Sequence, residues 1–207
     1  MVSKTNEQAL ETAIQHALTG SSMALPPASV TEIPVGVAET PADYVVANKG
    51  FKLGLPTDFN AQYALDEKFF WQFITHTQED ALEKIKRNNP SDWQRKLLER
   101  FDRLINKHGI LHVLKKGLSI EDAHFNLLYP APLASSSEQV KQHFKNNIFS
   151  CTRQVRYSLT NPLQAIDMVL FVNGIPLITL ELKSPWTGQT ARYHGQKQYR
   201  DDRDINQ

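Results

Sequence analysis

The sequence predicts an α/β fold in which helices flank a central mixed β-sheet of four or more strands. The strand prediction comes from the last third of the chain, where two apolar segments, 166–172 and 175–183, flank an Asn-Gly dipeptide typical of tight β-hairpins. The helix prediction comes from residues 4–18 and 62–116, where apolar residues recur at the spacing of an amphipathic helix. A chain of 207 residues is also long enough to bury a sizeable core.

The composition is that of an ordinary globular protein, with 41% hydrophobic and 22% charged residues, which excludes a collagen-like or wholly disordered chain. No apolar run is long enough for a membrane-spanning helix or a signal peptide, so we expect a cytoplasmic protein. The single cysteine, Cys151, fits a reducing compartment and excludes an internal disulfide or a multi-cysteine zinc site. With a net charge of +1, contact with nucleic acid would depend on a local patch, a metal site or a larger partner.

The first half of the chain is predicted to be helical on either side of a long irregular segment. Residues 4–18 form the first helix, and Gly20 follows as its C-terminal stop. Residues 21–60 are interrupted by prolines, and we expect one short strand there, near 43–47. Residues 62–116 then return to helical periodicity.

Two local signals subdivide this helical region. An apolar stripe near 64–76 predicts one helix, and a capping-box pattern at Ser91 and Gln94 predicts the start of another. The basic residues of the second helix indicate a solvated face rather than a DNA contact. His108 and His112 lie one turn apart, but they have no neighbouring Cys or Asp, so we expect a structural role rather than metal binding.

The second half is predicted to contain most of the sheet. Residues 125–133 predict a short strand, 136–146 a helix entered through serines, and 148–158 an alternating strand. The two hairpin segments are apolar on both faces, which predicts central strands covered on each side. Residues 189–204 return to a polar helical pattern.

Three charged residues interrupt the apolar hairpin. Asp167 lies near the start of its first strand, and Glu181 and Lys183 share one face at the end of the second. Charges on a buried strand are costly unless they are paired or bind a metal. Two hard carboxylates suit Mg²⁺, and a lysine beside them can orient a water and stabilise charge on a phosphoryl oxygen. The pattern indicates metal-assisted phosphodiester hydrolysis, against the simpler alternative of a chance pattern on a structural hairpin.

This hypothesis makes a demand on the register of the hairpin. A plain two-residue loop at 173–174 would place Asp167 opposite Leu180, and the two carboxylates would then face opposite sides of the sheet. A three-residue loop or a β-bulge would instead place Asp167 opposite Glu181. We therefore expect one of these two irregularities.

The segment 166–185, IDMVLFVNGIPLITLELKSP, closely resembles the signature of the restriction (R, HsdR) subunit of type I restriction–modification enzymes. The N-terminal nuclease domains of these subunits belong to the PD-(D/E)XK class, so the resemblance implies a restriction-endonuclease-like core. Residues 20–60 contribute little to the resemblance. Four other segments support it, namely NEQALETAIQHALTG, FNLLYPAP, NNIFSCTRQVRYS and QYRDDRD.

The resemblance assigns roles to individual residues. It implies that Asp167, Glu181 and Lys183 are catalytic. It also implies that Asp167 and Glu181 bind Mg²⁺, with the backbone carbonyl of Leu182 as a candidate third ligand. Glu11 on the first helix matches a position whose carboxylate often completes such sites, and the alternative of an exposed helix acid stays open at this point.

Two parts of the chain depart from the family pattern. The aspartate follows Ile166 instead of the proline of the class name, a mild change because that proline is not a ligand. After the lysine, Gln198, Tyr199 and Arg203 are candidates for DNA binding or support of the site, against the alternative of a mixed-charge solvated helix. The Gln-x-x-x-Tyr spacing of relatives is not kept, so which glutamine contributes is left open.

The resemblance further implies a single nuclease domain over residues 1–207. Its catalytic core would comprise about 4–18 and 125–205, with a helical insertion at about 62–116. We expect the N-terminal fragment of a longer chain, because R subunits also carry helicase-like motor domains that use ATP. The sequence has no G-x-x-x-x-G-K-[ST] phosphate-binding loop of its own.

The implied function is Mg²⁺-dependent endonucleolytic cleavage of double-stranded DNA, as part of a type I site-specific deoxyribonuclease. The implied partners are DNA, the methyltransferase (M) and specificity (S) subunits, and the chain's own motor domains. Two alternatives stay open. One is a stand-alone repair or recombination nuclease of the same class, and the other is a non-catalytic docking module of the R subunit.

Overall fold

The structure, a computed structural model, describes residues 3–20, 50–161, 163–182 and 197. This part of the chain is mixed α/β, as predicted, with a four-stranded mixed sheet and six helices. The predicted strand near 43–47 and, apart from Lys197, the predicted helix at 189–204 lie outside the described residues. So do four of the predicted site residues, namely Lys183, Gln198, Tyr199 and Arg203.

The described helices vary in length from two to almost five turns. No helix among the described residues is long and apolar enough to cross a membrane. The helices are α1 (Ser3–Thr19), α2 (Glu67–Thr77), α3 (Glu79–Asn88), α4 (Trp93–His108), α5 (Ile110–Lys116) and α6 (Glu138–Lys145).

Three long strands and one short strand form the central sheet, and four more short strands form two separate hairpins. A single 3₁₀ turn at Pro56–Asp58 precedes the first of these hairpins. The strands are β1 (Phe51–Leu53), β2 (Phe59–Asn60), β3 (Leu65–Asp66), β4 (Leu118–Ile120), β5 (Ala123–Phe125), β6 (Phe149–Arg156), β7 (Ala165–Val172) and β8 (Ile175–Leu180).

The central sheet has the strand order β1-β6-β7-β8. β1 runs parallel to β6, and the β6–β7 and β7–β8 pairs are antiparallel, which makes the sheet mixed. The short pairs β2–β3 and β4–β5 are antiparallel hairpins outside this sheet. α1 contacts both β1 and β6, so the first helix lies against the side of the sheet that these two strands form.

The turn between β7 and β8 is the two-residue hairpin that Asn-Gly predicts. Asn173 and Gly174 both have positive φ, at +51° and +77°, as a type I′ turn requires. A Cβ on Gly174 would lie 2.3 Å from the backbone oxygen of Asp66 and 2.5 Å from the backbone nitrogen of Phe70. The turn is therefore packed tightly against the start of α2, and only glycine fits there.

The main hydrophobic core lies between the helical region and the turn end of the sheet. Phe70, Phe73 and Phe101 are almost completely buried there, together with Val172 and Ile175 on either side of the turn. Each such side chain contributes about 1.5–3 kcal/mol when it is removed from water. The helices thus fix the turn end of the hairpin.

Most long predicted elements are confirmed. The helix at 4–18 is α1, which ends where Gly20 adopts a positive φ of +70°. The strand at 148–158 is β6. The helix at 136–146 is α6, and its serine start is correct because the hydroxyl of Ser137 accepts a hydrogen bond from the backbone N–H of Val140. The division of the chain into a catalytic core and an insertion stays a prediction.

The first helix of the helical region starts later than predicted. Leu65 and Asp66 form β3, which pairs with β2, instead of lengthening the helix. α2 begins at Glu67, because the Asp66 side chain accepts a hydrogen bond from the backbone N–H of Phe69 at 3.1 Å and so caps the helix.

The capping box predicted at Ser91 and Gln94 is wrong. α4 begins at Trp93, with Asp92 at its N-cap position and no side-chain hydrogen bond to the first turn. The Asp92 carboxylate pairs with the Arg95 guanidinium at 2.7 Å instead. Ser91 therefore belongs to the turn before the helix.

The strand predicted at 125–133 is also wrong, since β5 ends at Phe125. The following backbone is held by side-chain amides instead of a strand ladder. Gln78 binds the N–H and C=O groups of Asn126, and Asn147 binds those of Tyr129. Because these amides satisfy the backbone polar groups, the segment needs no partner strand.

Only one of the two hairpin strands is central. β7 lies between β6 and β8, whereas β8 is an edge strand of the sheet formed by the described residues. Leu177 and Ile178 of β8 are 46% and 51% exposed, which contradicts the predicted burial on both faces. β1 was not predicted, because three residues are too short for a periodic pattern and its parallel pairing with β6 is long-range.

Candidate functional site

A register shift in the hairpin brings two predicted acids to facing positions. The pairs next to the turn are Val172 with Ile175 and Phe171 with Pro176, but further along Met168 pairs with Leu180. The register changes between Leu170 and Phe171, which means that β8 contains one extra residue. The expected irregularity is therefore confirmed, as a bulge next to an ordinary two-residue turn.

The shift changes which residue faces Asp167. The last pair of the ladder is Met168 with Leu180, and this register, continued by one position, would set Asp167 opposite Glu181. The Oδ2 atom of Asp167 accepts a hydrogen bond from the backbone N–H of Leu182 at 2.8 Å. Both carboxylate oxygens of Glu181 are buried. The two acids thus lie at the same end of the hairpin, and the chain beyond β8 is tied to Asp167.

Glu11 of α1 is the third acid of this region, and it is not the exposed helix acid of the alternative interpretation. Its residue is only 2% exposed. The Arg153 guanidinium donates to Oε2 from Nε at 2.8 Å and has a second nitrogen at the same distance. Gln154 donates to Oε1 at 3.0 Å. Both carboxylate oxygens therefore have protein partners.

The charge environment of Glu11 links it to the hairpin. Burial raises the pKa of Glu11, the hydrogen bond and the positive charge of Arg153 lower it, and the negative charge of Asp167 raises it again. The net effect is a pKa above the ordinary value for Glu.

In the β6–β7 ladder, Gln154 occupies the position opposite Asp167, between the pairs of Arg153 with Met168 and Val155 with Ile166. Glu11, Gln154 and Asp167 are thus neighbours across three elements.

The donor atoms of the hairpin acids are of the type that Mg²⁺ prefers. Mg²⁺ takes hard oxygen ligands, and it commonly binds through one or two carboxylates while keeping several waters. Asp167 and Glu181 supply two carboxylates, and the carbonyl of Leu182 follows directly in the chain. A cluster of three or more His, Cys, Asp or Glu residues able to hold a metal is not found in the described ranges. The set of two carboxylates matches Mg²⁺ better than a metal that needs a full protein cage.

Comparison with known protein families gives one match. The family described as the N terminus of the type I restriction enzyme R protein matches residues 60–207, which is more than half of the chain and includes the whole hairpin. The chain belongs to this family. Searches of curated proteins and of solved structures found no match.

Membership in the R-protein N-terminal family confirms the predicted resemblance. The matched range contains Asp167, Glu181 and Lys183, whereas Glu11 lies before it. The position of Glu11 at the site therefore rests on its contacts in the structure. The family implies a restriction–modification complex and DNA as the setting in which this R-protein domain works.

Sequence reasoning missed Arg153 and Gln154, although they lie within the correctly predicted strand β6. The signal was present, because an arginine in an apolar strand is as costly as the aspartate of β7. Arg153 is buried and its partner Glu11 is 142 residues away in sequence, so no local pattern connects them.

Other residues of this R-protein domain with metal-binding or nucleophilic side chains do not form a site in the described part of the chain. The imidazole rings of His108 and His112 stack with centroids 4.7 Å apart, and no group of three potential metal ligands includes them. Cys151 is buried, and burial raises the pKa of its thiol to about 11, so it is an inert core residue.

The basic face of α4 is explained by local pairing. Arg95 bonds the carboxylates of Asp92 and Glu99, and Arg100 donates to the backbone oxygen of Ser119. These contacts support the predicted solvated face over a DNA-binding helix.

Proposed function

We propose that this domain is the endonuclease module of a type I restriction enzyme R subunit and cleaves phosphodiester bonds of double-stranded DNA with Mg²⁺. The observation that carries the proposal is the bulge of β8, because the register beyond it, continued one position past the pair of Met168 with Leu180, would bring Glu181 opposite Asp167. A hairpin without that bulge would separate the acids onto opposite faces. Family membership supports the assignment, and the mixed sheet is compatible with a PD-(D/E)XK core.

Each residue of the hairpin end has a role in this proposal. Asp167 and Glu181 hold Mg²⁺, and the backbone carbonyl of Leu182 is a third ligand. Lys183 orients the attacking water and stabilises negative charge on the scissile phosphate. A bound Mg²⁺ supplies Lewis acidity at a phosphoryl oxygen and lowers the pKa of a bound water. The N–H of Leu182 holds Asp167 in place through its Oδ2 atom, so its other oxygen is available to the metal.

The remaining predicted site residues are proposed to contact DNA or to support the site. Gln198, Tyr199 and Arg203 follow the catalytic strand and lie within the residues matched to the family. We assign them to DNA binding or to support of the site. ATP-dependent motor domains, and the methyltransferase and specificity subunits, would bring DNA to this module and license cleavage.

Cleavage by a reconstituted complex of full-length R subunit, methyltransferase and specificity subunits tests the proposal. Asp167→Asn and Glu181→Gln should each abolish cleavage of unmethylated plasmid in Mg²⁺ and ATP, while the ATPase rate is retained. A matched control is Glu138→Gln on the exposed surface of α6. Cleavage at the wild-type rate by both variants would favour the alternative of a docking module, in which these acids are structural.

A further inference from the structure

We propose, on the basis of the nuclease function above, that Arg153 and Gln154 are positioning residues that hold Glu11 beside Asp167 and thereby set the metal affinity of the site. Two consecutive residues of β6 reach one carboxylate on α1. In a regular strand, consecutive side chains point to opposite faces of the sheet, so a plain β6 could supply only one of these contacts.

The irregularity that makes both contacts available lies at Gln154. Its φ is +51°, in the left-handed region that residues other than glycine rarely adopt. The ladder with β7 keeps its register across this point, since Arg153 pairs with Met168 and Val155 with Ile166. The strained residue is therefore the one that faces Asp167. Strained backbone in such a place is typical of functional sites.

Both carboxylate oxygens of Glu11 are bound by side chains of β6. Arg153 contacts Oε2 with two nitrogens at 2.8 Å, and its third nitrogen donates to the hydroxyl of Thr12 at 3.1 Å. Gln154 donates to Oε1 at 3.0 Å. Each carboxylate oxygen of Glu11 therefore accepts one hydrogen bond from β6, and the second nitrogen of Arg153 adds a charge contact to Oε2. The position of Glu11 is thus fixed by these contacts, and in this proposal Asp167 and Glu181 are left as the direct metal ligands.

The charges of the group balance those of a divalent ion. Glu11, Asp167 and Glu181 carry three negative charges when ionised, and Arg153 cancels one of them. Without Arg153, Glu11 would lose both the hydrogen bond to Oε2 and the positive charge beside it. The Glu11 carboxylate would then no longer be held at β6, and the field at the metal would change.

Mn²⁺ binding to the 207-residue chain, measured by titration calorimetry, tests this role. Arg153→Met should weaken binding by about tenfold or more, as loss of a residue that orients a metal site commonly does. Arg153→Lys keeps the charge without the planar fork, so it should restore part of the affinity. The matched control is Arg103→Met on the exposed face of α4, which should bind Mn²⁺ as the wild type does.

A double-mutant cycle shows whether Arg153 acts through Glu11. In a Glu11→Gln background, Arg153→Met should cause little further loss of Mn²⁺ affinity, because the contact that it serves is already changed. Gln154→Leu should weaken binding less than Arg153→Met, since it removes one neutral donor. Full additivity of the Glu11 and Arg153 effects would overturn the positioning role.

The same titrations separate this role from the proposed function. If Asp167→Asn loses Mn²⁺ and folded Arg153→Met binds as the wild type does, the positioning role is wrong and the metal site stands. If Asp167→Asn binds as the wild type does, the metal site itself is wrong, and the positioning role with it. If circular dichroism shows that Arg153→Met is unfolded, Arg153→Lys and Glu11→Gln decide, and wild-type affinity in both overturns the role.

Discussion

The Oδ2 atom of Asp167 lies 2.8 Å from the backbone nitrogen of Leu182 and accepts its hydrogen bond. The residue proposed to bind Mg²⁺ therefore also fixes the chain that continues to Lys183. Two substitutions of Asp167 can therefore distinguish the metal-binding role from the hydrogen bond. Asp167→Asn keeps an acceptor oxygen and loses the charge, whereas Asp167→Ala loses both.

We expect Asp167→Asn to keep its free energy of unfolding within about 1 kcal/mol of the wild type and to lose metal binding. Asp167→Ala should lose metal binding and about 1–3 kcal/mol of stability, because the amide of Leu182 is left without its acceptor. Urea unfolding and Mn²⁺ calorimetry measure the two effects. Equal stability of both variants would show that the hydrogen bond contributes nothing to the fold.

Removal of one partner of the buried Glu11–Arg153 ion pair should strongly lower the stability of the fold. The two side chains are 3% and 9% exposed, so Glu11→Ala leaves a buried guanidinium without its partner. We expect a loss of about 3–5 kcal/mol in the free energy of unfolding. Glu11→Met combined with Arg153→Met should lose less than the two single changes added together, since no unpaired charge remains.

The control for this experiment is the exposed pair of Glu138 and Lys141 on α6. Glu138→Ala should change the free energy of unfolding by less than about 1 kcal/mol, because a surface ion pair contributes little. If Glu11→Ala is as mild as Glu138→Ala, the buried pair is not a structural link between α1 and β6.

The carboxyl of Asp66 should make stability fall as the pH rises. Burial raises its pKa from 3.8 to about 6, so the folded chain holds a proton that the unfolded chain releases between these values. Stability from this group is complete below about pH 4 and lost as the pH passes 6, a difference of about 3 kcal/mol.

Asp66→Asn keeps a capping acceptor for Phe69 and cannot ionise. Its stability relative to the wild type should therefore increase between pH 4 and pH 7.5 in urea titrations. Glu83→Gln, at an exposed position of α3, is the matched control and should show no such trend. A difference between Asp66→Asn and wild type that is constant with pH would contradict the raised pKa.

Gly174→Ala should be strongly destabilising because the methyl group meets backbone atoms. The Cβ would lie 2.3 Å from the oxygen of Asp66 and 2.5 Å from the nitrogen of Phe70. Gly50 provides a control with a similar φ, +86° against +77°, and nothing within 4 Å of its Cβ position. Thermal unfolding should show a larger loss for Gly174→Ala than for Gly50→Ala, and equal losses would mean that the turn can move away from α2 at little cost.

The part of the site that lies within the hairpin could be predicted from the sequence, because its residues are close together in the chain. Asp167 and Glu181 stand out because charges in an apolar hairpin need a reason, and period-2 geometry shows that a register shift is required. The choice of a bulge over a longer loop was not predictable. It depends on the packing of Gly174 against Asp66 and Phe70, which are more than a hundred residues earlier.

The parts that sequence reasoning missed depend on contacts between distant segments. Arg153 is an ordinary strand residue until α1 brings Glu11 against it. The segment after Phe125 has the composition of a strand, and only the amides of Gln78 and Asn147 make a ladder unnecessary. The exposure of β8 likewise depends on what lies beside the sheet, a property that apolar content does not encode.

The turn residue Asn173 has a chemical consequence for the lifetime of the protein. An Asn-Gly sequence is the one most prone to deamidation, which begins when the glycine nitrogen attacks the asparagine side chain. Here Asn173 is fully buried, and its amide group donates to Leu127 and Asn147 while its oxygen accepts from Ile148. A carboxylate in its place could not donate to either acceptor.

The fold therefore protects the side-chain amide of Asn173 from deamidation, and this protection is lost whenever the chain unfolds. Chains held in urea at mildly alkaline pH should accumulate aspartate and isoaspartate at position 173, detectable by peptide mass spectrometry, and should then refold poorly. Natively folded chains kept for the same time should stay intact. Deamidation at position 173 should therefore increase with the time that a molecule has spent unfolded. The modified residue would lie in the turn of the hairpin whose other end carries the candidate active site.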